Sequence, residues 1–99
     1  MSYSFVNRPH VKIDIINATT YYKKINPQLA KEFIYRLRES KEYVARSPFG
    51  FQQKYDQART LLLKQFPYHI HYLIDEKNKL IIILAIIHAY KKPSDYLGR

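Results

Sequence analysis

His88 and the residues just after it hold most of the chemistry this sequence can offer. An imidazole, whose ordinary pKa lies near 6.5, suits proton transfer at neutral pH. Tyr90, Lys91, Lys92, Tyr96 and Arg99 follow it, and cations interleaved with aromatic rings neutralise phosphate and stack on unpaired bases. The same tail also reads as a solvated chain end, and a strand-end histidine often does no more than satisfy a backbone carbonyl. Arg59 is expected beside His88 if neighbouring strands pair. A guanidinium grips phosphate through two parallel hydrogen bonds, although a lone arginine more often serves in a structural ion pair. His69 and His71, at i and i+2 on one strand face, could supply two zinc ligands, but no third accompanies them. No metal and no other cofactor is therefore expected. With Gly50 and Gly98 the only glycines, there is no phosphate-cradling loop. Neither a serine–histidine–aspartate set nor paired catalytic carboxylates are evident.

These groups need a rigid frame, and residues 66–88 supply the clearest part of one. Tyr68, Ile70, Tyr72 and Ile74 alternate with His69, His71 and Leu73, the period of a strand with one buried face. Asp75 to Lys79 is a polar hairpin loop. Leu80 to Ile87 is unbroken, isoleucine-rich and too short to cross a bilayer, which fits a strand covered on both faces. Upstream, Tyr3 to Val6 reads as a short strand. Val11, Ile15, Ala18, Tyr22 and Ile25 lie on one face of a helix, with Pro9 in its first turn. Asn26 is a cap and Pro27 the first residue of a second helix, which carries Leu29, Phe33, Leu37 and Val44 on one side. Glu32–Arg36 and Glu42–Arg46 are spaced for ion pairs along it. Ser47 to Phe51 is a turn, and Lys54 to Leu63, which could also continue a helix, is taken as one strand. The expected order is β-α-α-β-β-β, an α+β fold with an antiparallel sheet packed on an N-terminal helical hairpin.

The chain has 99 residues, enough for one domain (residues 1–99) with a modest core. Seventeen Lys and Arg against eight Asp and Glu leave a formal charge of +9, a field that favours polyanions such as RNA, DNA or an acidic protein. The absence of cysteine removes disulfides and thiolate metal sites and fits a reducing cytoplasm. No secretion signal is seen at the N-terminus, and no membrane partner is expected.

The run Phe66-Pro67-Tyr68-x-Ile70-x-Tyr72-x-Ile74-Asp75, then an aliphatic strand, then His88-x-x-Lys91-x-Pro93, resembles the C-terminal half of the RelE/ParE superfamily, the small basic toxins of type II toxin–antitoxin pairs. The likeness extends upstream through Tyr55-x-x-x-Arg59. It implies a cognate antitoxin as partner and, on the ribonuclease branch, cleavage of mRNA on the ribosome. His88 would then transfer protons, Arg59 and Lys91 would stabilise phosphate charge, and Tyr96 would stack on a base or assist as an acid. Tyr55, His69, Tyr90, Lys92 and Arg99 would contact nucleic acid or partner. The sequence departs from that branch at Tyr90 and His69, where arginines are typical. On the ParE branch the chain would instead poison DNA gyrase with no chemistry of its own. A small basic nucleic-acid-binding module is the third reading.

Overall fold

The computed structural model describes residues 2–91. Strand β1 (Ser4–Asn7) leads into helices α1 (Pro9–Ile25) and α2 (Pro27–Arg46). A 3-10 turn (Pro48–Gly50) then delivers the chain to β2 (Gln53–Tyr55), β3 (Ala58–Leu62), β4 (Tyr68–Asp75) and β5 (Leu80–His88). This is the expected α+β architecture, a helical hairpin on one face of a sheet. Asn26 ends α1 and caps α2, its Oδ1 accepting from the Gln28 N–H at 2.9 Å, and Pro27 occupies the first helical position. Between the layers lie Val11 and Ala18 of α1, Phe33, Leu37 and Val44 of α2, and Ile70, Tyr72, Ile81, Ile83 and Ile86 of the sheet. Ile25, expected on the inner face of α1, is exposed at its last residue.

The sheet differs from the expected one in two details. Its order is β1-β5-β4-β3-β2, and β1 lies parallel to β5 with Phe5 opposite Ile81, so it is mixed. β1 meets β5 only after the rest of the fold has intervened, and so long a connection carries no antiparallel constraint. Residues 54–63 are two strands rather than one. Asp56 and Gln57, with φ of 41° and 67°, form a two-residue hairpin turn that sets Tyr55 against Ala58. One ion pair also moves. Glu42 meets Arg46 at 3.7 Å, but Arg36 pairs with Glu39 at 3.2 Å. Gln65 accounts for the change: its Nε2 donates to Glu32 while its Oε1 accepts from Arg36.

A bulge in β5 decides where His88 points. Tyr72 lies opposite Ile83 and His71 opposite Ala85, which leaves Leu84 unpaired. Before it, Ile81 and Ile83 face the helices. After it, Ile86 does, while Ala85 and Ile87 turn to the other face with Tyr55. Strict alternation would have put His88 with Ile82 on the open face. The extra residue instead sets it opposite Tyr68, on the helix side. That open face has no helix over it among the described residues, and β5 is thus double-covered only in part.

The same bulge lies beyond the end of β1, which pairs with β5 no further than Ile83. The Ile86 N–H there is taken by the buried Asp14 of α1, whose Oδ2 accepts it at 3.0 Å. Asp14→Ala is therefore expected to destabilise the protein by about 1–3 kcal/mol, the cost of stranding a buried donor. Asp14→Asn, which keeps an acceptor, should cost less. Urea unfolding of the two variants checks the order, and equal stability of Asp14→Ala and wild type would contradict it.

Candidate functional site

His88 lies at the rim of the sheet, half-buried, in a shallow cleft of about 100 Å³ between the end of β5 and the flank of α1. Asp14, Asn17, Tyr68 and Lys91 line the cleft with it, over Ala18 and Ile86. Two backbone bonds fix the exit of β5. The Ala89 N–H donates to the Pro67 carbonyl at 2.7 Å and the Lys91 N–H to the His88 carbonyl at 3.0 Å. The imidazole packs edge-on against Tyr68 at 5.4 Å between ring centroids and lies 5.2 Å from the Tyr90 ring. The Tyr90 N–H donates to His88 Nδ1 at 3.2 Å. A neutral ring that accepts at Nδ1 carries its hydrogen on Nε2 and offers it as a donor. Burial raises the Tyr68 phenol above its usual pKa, with the nearby Tyr21 adding to the shift. At neutral pH Tyr68 therefore stays a hydroxyl able to donate.

Arg59 is not part of this group. It sits on β3 opposite Tyr72, whereas His88 is opposite Tyr68. Four residues along β4 separate the two levels, roughly 13 Å at strand rise. The guanidinium donates instead to the carbonyls of Phe51 at 2.6 Å and Phe49 at 3.2 Å, with its carbon 5.3 Å from the Phe49 ring centroid. Its neighbour Tyr72, fully buried, donates its hydroxyl to the Pro48 carbonyl at 2.6 Å, and burial pushes the phenol up to about 12. Together they clamp the 48–51 turn to the sheet. The pairing of β3 with β4 thus does not bring Arg59 beside His88, the place expected for it.

Tyr55, His69 and His71 meet on the open face, away from the cleft. Tyr55 Oη and His71 Nδ1 are 2.9 Å apart, and the two imidazoles lie 6.0 Å apart edge to face. Among the described residues no group of three His, Cys, Asp or Glu is placed to hold a metal ion. Lys92, Tyr96 and Arg99 lie outside the described residues. The members of the cleft that sequence reasoning missed are Asp14, Asn17 and Tyr68. Asp14 had left a signal, an acid on the buried stripe between Val11 and Ala18.

The open face gives a pH dependence. Burial, and after it the Lys54 ammonium, lower the pKa of His69 from the usual imidazole value. A histidine depressed in this way binds its proton less readily folded than unfolded. Stability is then full above the unfolded value near 6.5 and declines as the pH falls from there toward the lowered folded value. Asp75 acts in more acid solution. Hydrogen bonds from the Asn78 side chain and backbone hold its carboxyl below the usual range, so its contribution is present above the unfolded carboxylate pKa and lost as pH falls through the folded one. The melting temperature should therefore fall as the pH drops below about 6.5, and His69→Gln should lessen that fall; an unchanged pH profile in the variant would refute the contribution of His69.

No protein-family model matches the sequence, and no curated protein matches it. Solved structures do. A chromosomal ParDE TA system from P. aeruginosa superposes with a TM-score of 0.74 at 20% identity, over 87% of this chain and 95% of that one. The toxin-antitoxin complex RelBE2 from Mycobacterium tuberculosis gives 0.56 at 14% identity, over 89% and 99%. A double mutant of the E. coli toxin RelE in the free state gives 0.61 at 13%, over 100% and 98%. At these identities the likeness is one of fold, and it spans nearly all of each chain. With its helical hairpin laid on a sheet that ends in His88, this protein shares its fold with these ParDE, RelBE2 and RelE structures.

Proposed function

We propose that this protein is the toxin of a type II toxin–antitoxin pair and that it arrests growth by cutting mRNA on the ribosome, without a metal, at the cleft of His88 and Lys91. The observation that carries the reading is the β5 bulge, which turns His88 from the open face into a cleft shared with a lysine and a phenol. Cleavage of RNA needs no more than these kinds of group. The 2′-oxygen loses its proton and attacks phosphorus, a cation stabilises the charge that builds on the phosphate, and the bond to the 5′-oxygen breaks as that oxygen gains a proton. Lys91 supplies the cation. His88 works through Nε2: it becomes a base when the ring gives up the bond from the Tyr90 N–H and carries its hydrogen on Nδ1, and the imidazolium formed on taking the 2′-hydroxyl proton can return that proton to the departing 5′-oxygen. Tyr68 is a second donor within reach of the same ring. An antitoxin would neutralise the protein by binding its basic surface.

A second reading, poisoning of DNA gyrase with His88 purely structural, is favoured by one observation. Arg59, the cation a nuclease would be expected to use, is engaged with the Phe49 and Phe51 carbonyls. Induced expression without a partner separates the readings. Growth arrest with cut, ribosome-associated transcripts supports the nuclease. Arrest with double-strand DNA breaks and intact transcripts supports the gyrase poison, and no arrest refutes both.

A further inference from the structure

The flank of α1 continues the cleft beyond Asn17. Tyr21 and Lys24 stand four and seven residues after it, so the three share one stripe of the helix, about 10 Å long. All three are exposed. Asn17 is the member that lines the cleft with His88 and Lys91. Tyr21, although 58% exposed, is held in place. Its ring stands edge-on to Tyr22 at 5.1 Å, Tyr22 meets Tyr68 at 6.1 Å, and Tyr68 presses on His88. A line of rings thus leads from the imidazole to the outside of α1. Among the described residues the Asn17 amide, the Tyr21 hydroxyl and the Lys24 ammonium make no hydrogen bond or ion pair. The stripe therefore offers a fixed ring with a free amide at one end and a free cation at the other. An unpaired nucleotide uses all three, as a stacking platform, a partner for its base edge and a charge for its phosphate.

We infer that this stripe is a subsite for one unpaired adenine nucleotide beside the scissile phosphate: the base stacks on Tyr21, the Asn17 amide bonds its edge, and Lys24 neutralises its outer phosphate. The inference deepens the nuclease reading and rests on it for the place of the scissile phosphate at His88 and Lys91. Asn17 and Tyr21 are about 6 Å apart along the helix, so one base can lie on the ring and meet the amide. An amide presents a donor and an acceptor side by side. Adenine offers the matching pair at N6–H and N7, whereas guanine offers two acceptors there, O6 and N7. The pyrimidines give Tyr21 less surface to stack on. A duplex cannot use the stripe, because its bases are already paired and stacked on one another.

The test uses the full chain and short, labelled 2′-fluoro RNA oligomers, which lack the 2′-hydroxyl and cannot be cut. Each is a uridine run with adenine, guanine, cytosine or uracil at its centre, and binding is followed by fluorescence anisotropy. The adenine oligomer should bind about tenfold more tightly than the others. Tyr21→Leu should weaken it about tenfold, and Tyr21→Phe, which keeps the ring, should restore it. Asn17→Ala should erase the preference for adenine while changing the affinity for the uracil oligomer little. Lys24→Gln should lower the slope of log affinity against log salt by about 0.7. Lys12→Gln, on the opposite side of α1, should leave every readout as in wild type. All four positions are exposed, and melting temperatures confirm that the variants fold. The proposal is overturned if wild type binds the four oligomers alike, if Tyr21→Leu binds like wild type, or if Asn17→Ala keeps the preference. It is also overturned if a duplex binds as tightly as the single strand. Cleavage on the ribosome is read separately: intact transcripts sink the nuclease reading, whereas cut transcripts with binding blind to the central base sink the subsite alone.

Discussion

Replacing His88 with alanine is expected to lower the rate of RNA cleavage by about 10²–10⁴-fold, the usual worth of a positioned general acid or base. The change should leave the fold intact. His88 is half-buried at the rim, and the contacts that fix the end of β5 run through its backbone, whose carbonyl accepts from the Lys91 N–H. Lys91→Ala should cost about 10²–10³-fold by removing a cation from the developing phosphate charge. Lys91→Arg should recover most of that loss, and a structural role at this exposed position would predict no such rescue. Single-turnover cleavage of ribosome-bound mRNA is the direct readout, with growth after induced expression as the cellular one. If His88→Ala arrests growth as strongly as wild type, the nuclease reading fails and the gyrase reading takes its place.

How much of this was legible in the sequence depends on the range of the interactions that decide each feature. β4 and the start of β5 could be read because alternation and an isoleucine run are local signals. So could the Asn26-Pro27 junction, where a cap and a first-turn proline act on adjacent residues. The hairpin at Asp56-Gln57 could not, because it adopts two positive φ angles without the glycine or asparagine that normally announces them. The parallel setting of β1 depends on chain more than seventy residues away in sequence, from Phe5 to Ile81. The site suffered from the same limit. His88 and Lys91 come together because they are neighbours in the chain, whereas Arg59 was placed by assuming a strand register that only the β3–β4 turn sets. Asp14 and Asn17 reach the cleft from the other layer. The bulge at Leu84, which no residue in the run Leu80 to Ile87 marks, is what orients the imidazole toward them.

Phe33→Ala is expected to destabilise the protein by about 3–5 kcal/mol, which for a domain of this size is a large part of its total stability. Phe33 is wholly buried at the centre of an aromatic cluster, its ring centroid 5.1 Å from Tyr68, 5.3 Å from Phe66 and 5.7 Å from Tyr22. These three come from α1, the 63–67 connection and β4, so one ring joins both helices to the sheet. Truncation removes the transfer energy of the ring and leaves a void that neighbours of fixed shape fill poorly. The effect should extend to the site, because Tyr68 presses on Phe33 and also on His88. With Phe33 shortened, Tyr68 gains room to leave the imidazole, and cleavage should fall even where the protein remains folded. Phe33→Leu, which restores most of the volume, should lose less stability and less activity. Urea unfolding gives the stability change as a shift of midpoint at constant slope. A loss below about 1 kcal/mol would mean that the cluster is not the joint between helices and sheet. Full activity in folded Phe33→Ala would show that Tyr68 does not hold His88.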